Sequence, residues 1–156
     1  MLREIFIIGI GGQGAQAIGD ILMLSAFKSG YTASFYPFYG SQMRGGESGC
    51  IVKIDTEACD ILNPTINQPD DFIILSDKFF EKYKKFMRDD ANIIDAENLQ
   101  GAANNKNLNI ILLKKYIDKV KIFKDDIVIE SIKERFKKEE VNKVLIDLYM
   151  RSDDEF

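Results

Sequence analysis

Apolar residues fall in two rhythms along this chain. Ile5-Phe6-Ile7-Ile8 is an unbroken apolar run closed by glycine, and hydrophobicity without alternation predicts a strand over 5–10 buried on both faces. From Ala15 to Lys28 the pattern changes. Ile18, Ile21, Leu22 and Leu24 fall mainly on one helical stripe, and Ser29-Gly30 supplies the stop. β-Branched and aromatic residues predict a second strand over 32–36, and strand character returns at 50–54, 72–75 and 92–94. Ser76 reads as the N-cap of a helix carrying Phe79, Phe80, Tyr83 and Met87. The remainder reads as helical: Ile129, Ile132 and Phe136 form one stripe, and Val141, Val144, Leu145 and Leu148 another.

Between these elements lie two irregular stretches and one unusual loop. Residues 55–70 carry Pro64 and Pro69 as breakers, and 98–107 is a polar, Gly/Asn-rich connection at the surface. The segment 37–49 reads as a loop with four glycines, long enough to suggest function. Strands alternating with helices predict an α/β fold: a single domain over 1–150, with a mostly parallel or mixed sheet flanked by helices. Residues 151–156 read as a disordered tail.

Composition narrows the chemistry. With 156 residues, 46% hydrophobic and 29% charged, the chain can bury a core, and no apolar run approaches the length of a membrane span. The short N-terminal run is unlike a secretory signal, so the expected location is cytoplasmic. Net charge is −4, and the C-terminal lysines alternate with acids as on a solvated helix face, which argues against nucleic-acid binding. There is no histidine, which removes Ser-His-Asp and Cys-His catalysis and His-ligated zinc. Two cysteines, Cys50 and Cys59, fall short of the four that common iron–sulfur clusters need.

The first glycine segment, Gly9-Ile10-Gly11-Gly12-Gln13-Gly14, follows a strand and opens a helix, with the G-x-G-x-x-G spacing of a dinucleotide turn. The acid that would hold a ribose is missing, because no Asp or Glu lies between Asp20 and Glu47. Two readings stay open: an anion site made by backbone amides at a helix N-terminus, or glycines that only permit a tight turn and close packing. In the second segment Arg44 is the one charged side chain between Lys28 and Glu47, and it precedes Gly45-Gly46. It fits either a bidentate anion ligand or a brace for its own loop. Tyr36, Phe38, Tyr39 and Met43 form a candidate contact patch.

Ile8-Gly9-Ile10-Gly11-Gly12-Gln13-Gly14 followed by Pro37-x-Tyr39-Gly40-x-x-Met43-Arg44-Gly45-Gly46, then Val52-x-Ile54, Asn63-Pro64 and Pro69-Asp70, resembles the gamma subunit of 2-oxoacid:ferredoxin (acceptor) oxidoreductases. The resemblance is specific over about residues 5–80 and looser beyond, where Asn107 and Asn142 sit at positions such proteins give to asparagine. The Met-Arg-Gly-Gly form is closer to the 2-oxoglutarate type than to the pyruvate type. The resemblance implies a non-autonomous subunit of an enzyme that converts a 2-oxoacid and coenzyme A to acyl-CoA, CO2 and reduced ferredoxin. Thiamine diphosphate and iron–sulfur clusters are then expected in the alpha, beta and delta type partners. This chain would carry no catalytic residue and no metal. Gly11, Gly12, Gln13, Gly14, Arg44, Gly45 and Gly46 are the expected ligand-binding residues, with coenzyme A a possible contact. The alternatives are an independent nucleotide-binding domain and a scaffold without ligand.

Overall fold

The computed structural model describes residues 1–41, 45–57, 61, 63, 65–66, 68–96 and 106–151. Five strands form one sheet in the order β2-β3-β1-β4-β5: β1 (Leu2–Ile10), β2 (Thr32–Tyr39), β3 (Glu47–Asp55), β4 (Asp71–Ile74) and β5 (Asn92–Asp95). β1 pairs antiparallel with β3 and parallel with β4; β2–β3 is antiparallel and β4–β5 parallel. The sheet is therefore mixed. The helices are α1 (Ala15–Lys28), the single turn α2 (Phe80–Tyr83), α3 (Leu108–Val120), α4 (Asp125–Arg135) and α5 (Glu139–Met150).

The two sheet faces are covered unequally. Ile5 and Ile7 of β1, with Cys50, Val52 and Ile54 of β3, face a large core built with α1, α3, α4 and α5. Phe6 and Ile8 point the other way, into a smaller aromatic cluster with Phe72, Ile74 and Phe79. Central β1 is thus buried on both sides, which is why its sequence shows no alternation. The segment 77–86 covers part of the second face. There Phe6 lies between Phe38, 5.3 Å away and stacked, and Tyr83, at 4.7 Å.

Among the described residues, buried charge is confined to paired positions. Asp71 is wholly buried at the start of β4 and accepts hydrogen bonds from Arg3 at 2.8 Å to both oxygens, from the Tyr116 hydroxyl at 2.8 Å and from Asn92 at 2.9 Å. These four hydrogen bonds from three donors are what make a carboxylate tolerable there. Lys53, buried on the second face, pairs with Glu4 at 2.6 Å and donates to the Thr65 carbonyl at 2.7 Å.

Several boundaries differ from the expectations. The first strand begins at Leu2 rather than residue 5. β2 runs through Pro37 to Tyr39, because it is an edge strand and a missing N–H can face outward there. With β3 starting at Glu47, the connection expected over 37–49 shrinks to 40–46. The helix expected after Ser76 is one α turn between two 3₁₀ turns, Asp77–Phe79 and Lys84–Phe86, and Ser76 makes no side-chain cap. Aromatic residues are modest helix formers, and here Phe79 and Tyr83 are bent onto the sheet. Of the proposed patch, Tyr36 and Phe38 share one face by strand alternation while Tyr39 points to the other, and Met43 lies outside the described residues. Most of 98–107 and residues 152–156 also lie outside them. No helix among the described residues is long and apolar enough to cross a membrane.

Candidate functional site at the glycine turns

The chain leaves β1 for α1 on one face and leaves β4 for the 77–86 segment on the other. Neighbouring parallel strands whose connections diverge in this way open a crevice at their carboxyl ends, the usual ligand position in open α/β sheets. The first glycine segment sits there. Gly12 and Gly14 have φ of +93° and +85°, left-handed values that a side chain would resist. Gly14 is the N-cap of α1, with no side-chain cap and no acid in the first turn, so the amides of that turn remain available to an anion.

Gln13 behaves differently from a ligand contact. Its side-chain oxygen accepts the Ile10 N–H at 2.7 Å and its nitrogen donates to the Leu75 carbonyl at 3.4 Å. The side chain thus bridges the ends of β1 and β4. A Cβ on Gly9 would stand 2.9 Å from the same Gln13 oxygen and 3.1 Å from the Leu75 Cβ. The first glycine of the motif therefore makes room for the glutamine, and the glutamine occupies the crevice where a dinucleotide fold would leave space.

The two glycine segments meet. The Gly11 N–H donates to the Gly46 carbonyl at 3.0 Å, tying the β1–α1 turn to the β2–β3 loop. Gly45 has φ of +64°, and its carbonyl accepts from Lys78 at 3.5 Å. Arg44 lies outside the described residues. Gly40, Ser41, Gly46, Glu47, Lys78, Phe79 and Lys82 line a polar cleft of about 260 Å³. Lys82 pairs with Glu47 at 2.6 Å, and the Tyr83 hydroxyl also donates to Glu47. A second cleft of about 200 Å³, lined by apolar residues including Phe6, Ile51, Phe72, Tyr83 and Phe86, opens on the same face.

Sequence reasoning missed Lys78 and Lys82, whose only signal was a lysine spacing of four after β4. Nor did it single out Asn109, an amide within the apolar run Leu108–Leu113 that the structure packs against Gly14. Cys50 is no nucleophile: it is fully buried, and burial together with the charge of Asp20 pushes its thiol up. Among the described residues no group of three His, Cys, Asp or Glu side chains is placed to hold a metal ion. The arrangement can bind an anion and brace a neighbouring loop.

The chain is similar in sequence and in fold to known proteins. The profile of the family described as pyruvate ferredoxin/flavodoxin oxidoreductase matches residues 4–99. The ketoisovalerate oxidoreductase subunit VorA of Methanothermobacter thermautotrophicus is 33% identical over 88 residues, 56% of this chain and 18% of that one. The 2-oxoglutarate synthase subunit KorC of Methanocaldococcus jannaschii is 30% identical over 115 residues, 73% of this chain and 60% of that one. The chain thus spans between 17% and 60% of the length of the curated relatives it matches. Among solved structures, the gamma subunit of a keto/oxoacid ferredoxin oxidoreductase from Geobacter sulfurreducens superposes with a TM-score of 0.72 at 19% identity, covering 94% of each chain. A 2-oxoglutarate:ferredoxin oxidoreductase from Magnetococcus marinus, with 2-oxoglutarate, coenzyme A and succinyl-CoA bound, gives 0.77 at 13% identity over 95% of this chain and 30% of its own. The chain belongs to the pyruvate ferredoxin/flavodoxin oxidoreductase family and has the fold of its gamma subunits.

Proposed function

We propose that this chain is the gamma subunit of a multi-subunit, cytoplasmic 2-oxoacid:ferredoxin oxidoreductase, and that it has no activity alone. The carrying observation is the junction of GxGGQG with YGxxMRGG through the Gly11–Gly46 hydrogen bond, in a chain that matches the family over 4–99. Thiamine diphosphate and the iron–sulfur clusters belong to the alpha, beta and delta type partners, and ferredoxin takes the electrons. In the reaction a 2-oxoacid loses CO2, coenzyme A takes the acyl group, and two electrons leave for the acceptor. The favoured substrate is 2-oxoglutarate, supported by the Met43-Arg44-Gly45-Gly46 form and the KorC match; the VorA match makes a branched 2-oxoacid the competing substrate.

Within the complex, the turn over Gly11, Gly12, Gln13 and Gly14 receives an anionic group on the amides of Gly12, Gly14 and the first turn of α1, with Gly11 and Gln13 holding the turn in shape. Arg44, Gly45 and Gly46 receive a phosphate-bearing ligand, and Lys78 and Lys82 line the cleft beside Gly46. The apolar cleft beside that polar one suits an amphiphile such as coenzyme A. Capturing a tagged copy from its native cell tests the assignment. Thiamine- and cluster-binding subunits should co-purify in fixed ratio; recovery of the chain alone would overturn it. In the captured complex, Arg44→Ala should raise the apparent KM for coenzyme A or loosen assembly, and Arg44→Lys should recover only part of the loss.

A further inference from the structure

We infer that Asn109 completes an oxyanion receptor with the N-terminus of α1, and that the receptor takes a group of single negative charge: a carboxylate or a phosphodiester. The inference rests on the reading above that the β1–α1 turn is an anion site, and it adds the residue and the charge of the ligand. Asn109 stands in the first turn of α3, and 8% of its surface is exposed. Its side-chain nitrogen lies 2.5 Å from where a Gly14 Cβ would be, so the amide is seated against the N-cap of α1. The amide makes no hydrogen bond among the described residues. Neither of its polar atoms is among those sealed from solvent without a partner, so the amide reaches solvent and can donate to a ligand.

Three further observations point the same way. Two helices of 14 and 13 residues bring their N-termini together here, and neither has a side-chain cap or an acid in its first turn. Each terminus carries about half a positive charge, so two together match roughly one negative charge. In the first turn of α1, the Gln16 side-chain nitrogen is buried without an acceptor, while its oxygen accepts from Tyr39 at 2.9 Å. Nearby carboxylates among the described residues point elsewhere: Glu47 is engaged by Lys82 and Tyr83, and Asp95 by strand alternation faces away from α1 and α3.

The test is an amide-resolved NMR titration of the ¹⁵N-labelled full chain with acetate and, separately, with dimethyl phosphate at constant ionic strength. Shifts should concentrate at Gly12, Gly14, Ala15 and the Asn109 side chain, and the tighter probe names the class. Asn109→Leu should weaken the midpoint about tenfold, the scale of one lost hydrogen bond to a charged group. Asn109→Asp is close in shape and brings its own negative charge; it should abolish the response without lowering Tm. If the turn responds equally in all three proteins, the role of Asn109 is overturned while the anion reading of the turn stands. If no probe shifts the turn in the parent chain, both fall.

Discussion

Asp71 carries more of the fold than its single charge suggests. It holds Arg3, Tyr116 and Asn92 around one buried carboxylate, joining β1, β4, β5 and α3. Removing it leaves a guanidinium and a wholly buried phenol without their acceptor. Asp71→Ala should therefore cost about 3–5 kcal/mol, which for a domain of this size lowers Tm by about 10 °C; calorimetry checks this, and a loss within the range of surface substitutions would contradict it. Asp125 makes a different, pH-dependent contribution at the start of α4. Partial burial pushes its carboxyl up, but the Tyr149 hydroxyl at 2.8 Å and the Lys114 ammonium at 3.1 Å outweigh that and hold it below the usual range. A carboxyl held lower in the folded state stabilises above its unfolded pKa of about 4, and the contribution fades as pH falls through the folded value. Urea midpoints of the parent and of Asp125→Asn should differ near pH 6 and converge toward pH 3. A gap constant across that range would contradict the pairing.

At the scale of elements, the contact between α1 and the sheet turns on one missing side chain. A Cβ on Gly19 would meet the Cys50 Sγ at 2.5 Å and the Phe35 ring at 2.6 Å. Alanine is the better helix former by about 1 kcal/mol, whereas overpacking a closed core costs about 1–3 kcal/mol. Steric cost wins: Gly19→Ala should shift the denaturant midpoint downward with an unchanged slope, and a stabilised variant would show that α1 can lift. β1 and α1 were legible because each carries a pattern long enough to fix its type. The end of β2 was not, because Pro37 reads as a breaker until its strand is known to lie at an edge. The segment after Ser76 kept its apolar positions but not its helix, since its aromatics answer to the sheet beneath them. Lys53, buried within β3, was invisible for a similar reason: only Glu4 and Thr65 from distant parts of the chain explain it. Of the site, both glycine segments could be read from spacing. Their hydrogen bond, the brace made by Gln13 and the position of Asn109 arise only when separate elements meet.

At the scale of the whole molecule, one sheet face is closed by four helices and the other carries the short 77–86 segment, two clefts and the β2–β3 loop. That asymmetry suits a subunit whose open face completes its site with other chains. Turnover by the complex captured from the native cell tests the central claim most directly. With 2-oxoglutarate, coenzyme A and thiamine diphosphate, the complex containing this chain should reduce ferredoxin or a viologen dye, and release succinyl-CoA in step with the reduction. The purified chain alone should reduce nothing under the same conditions. Reduction by the isolated chain, or an equally active complex from cells lacking it, would contradict the account.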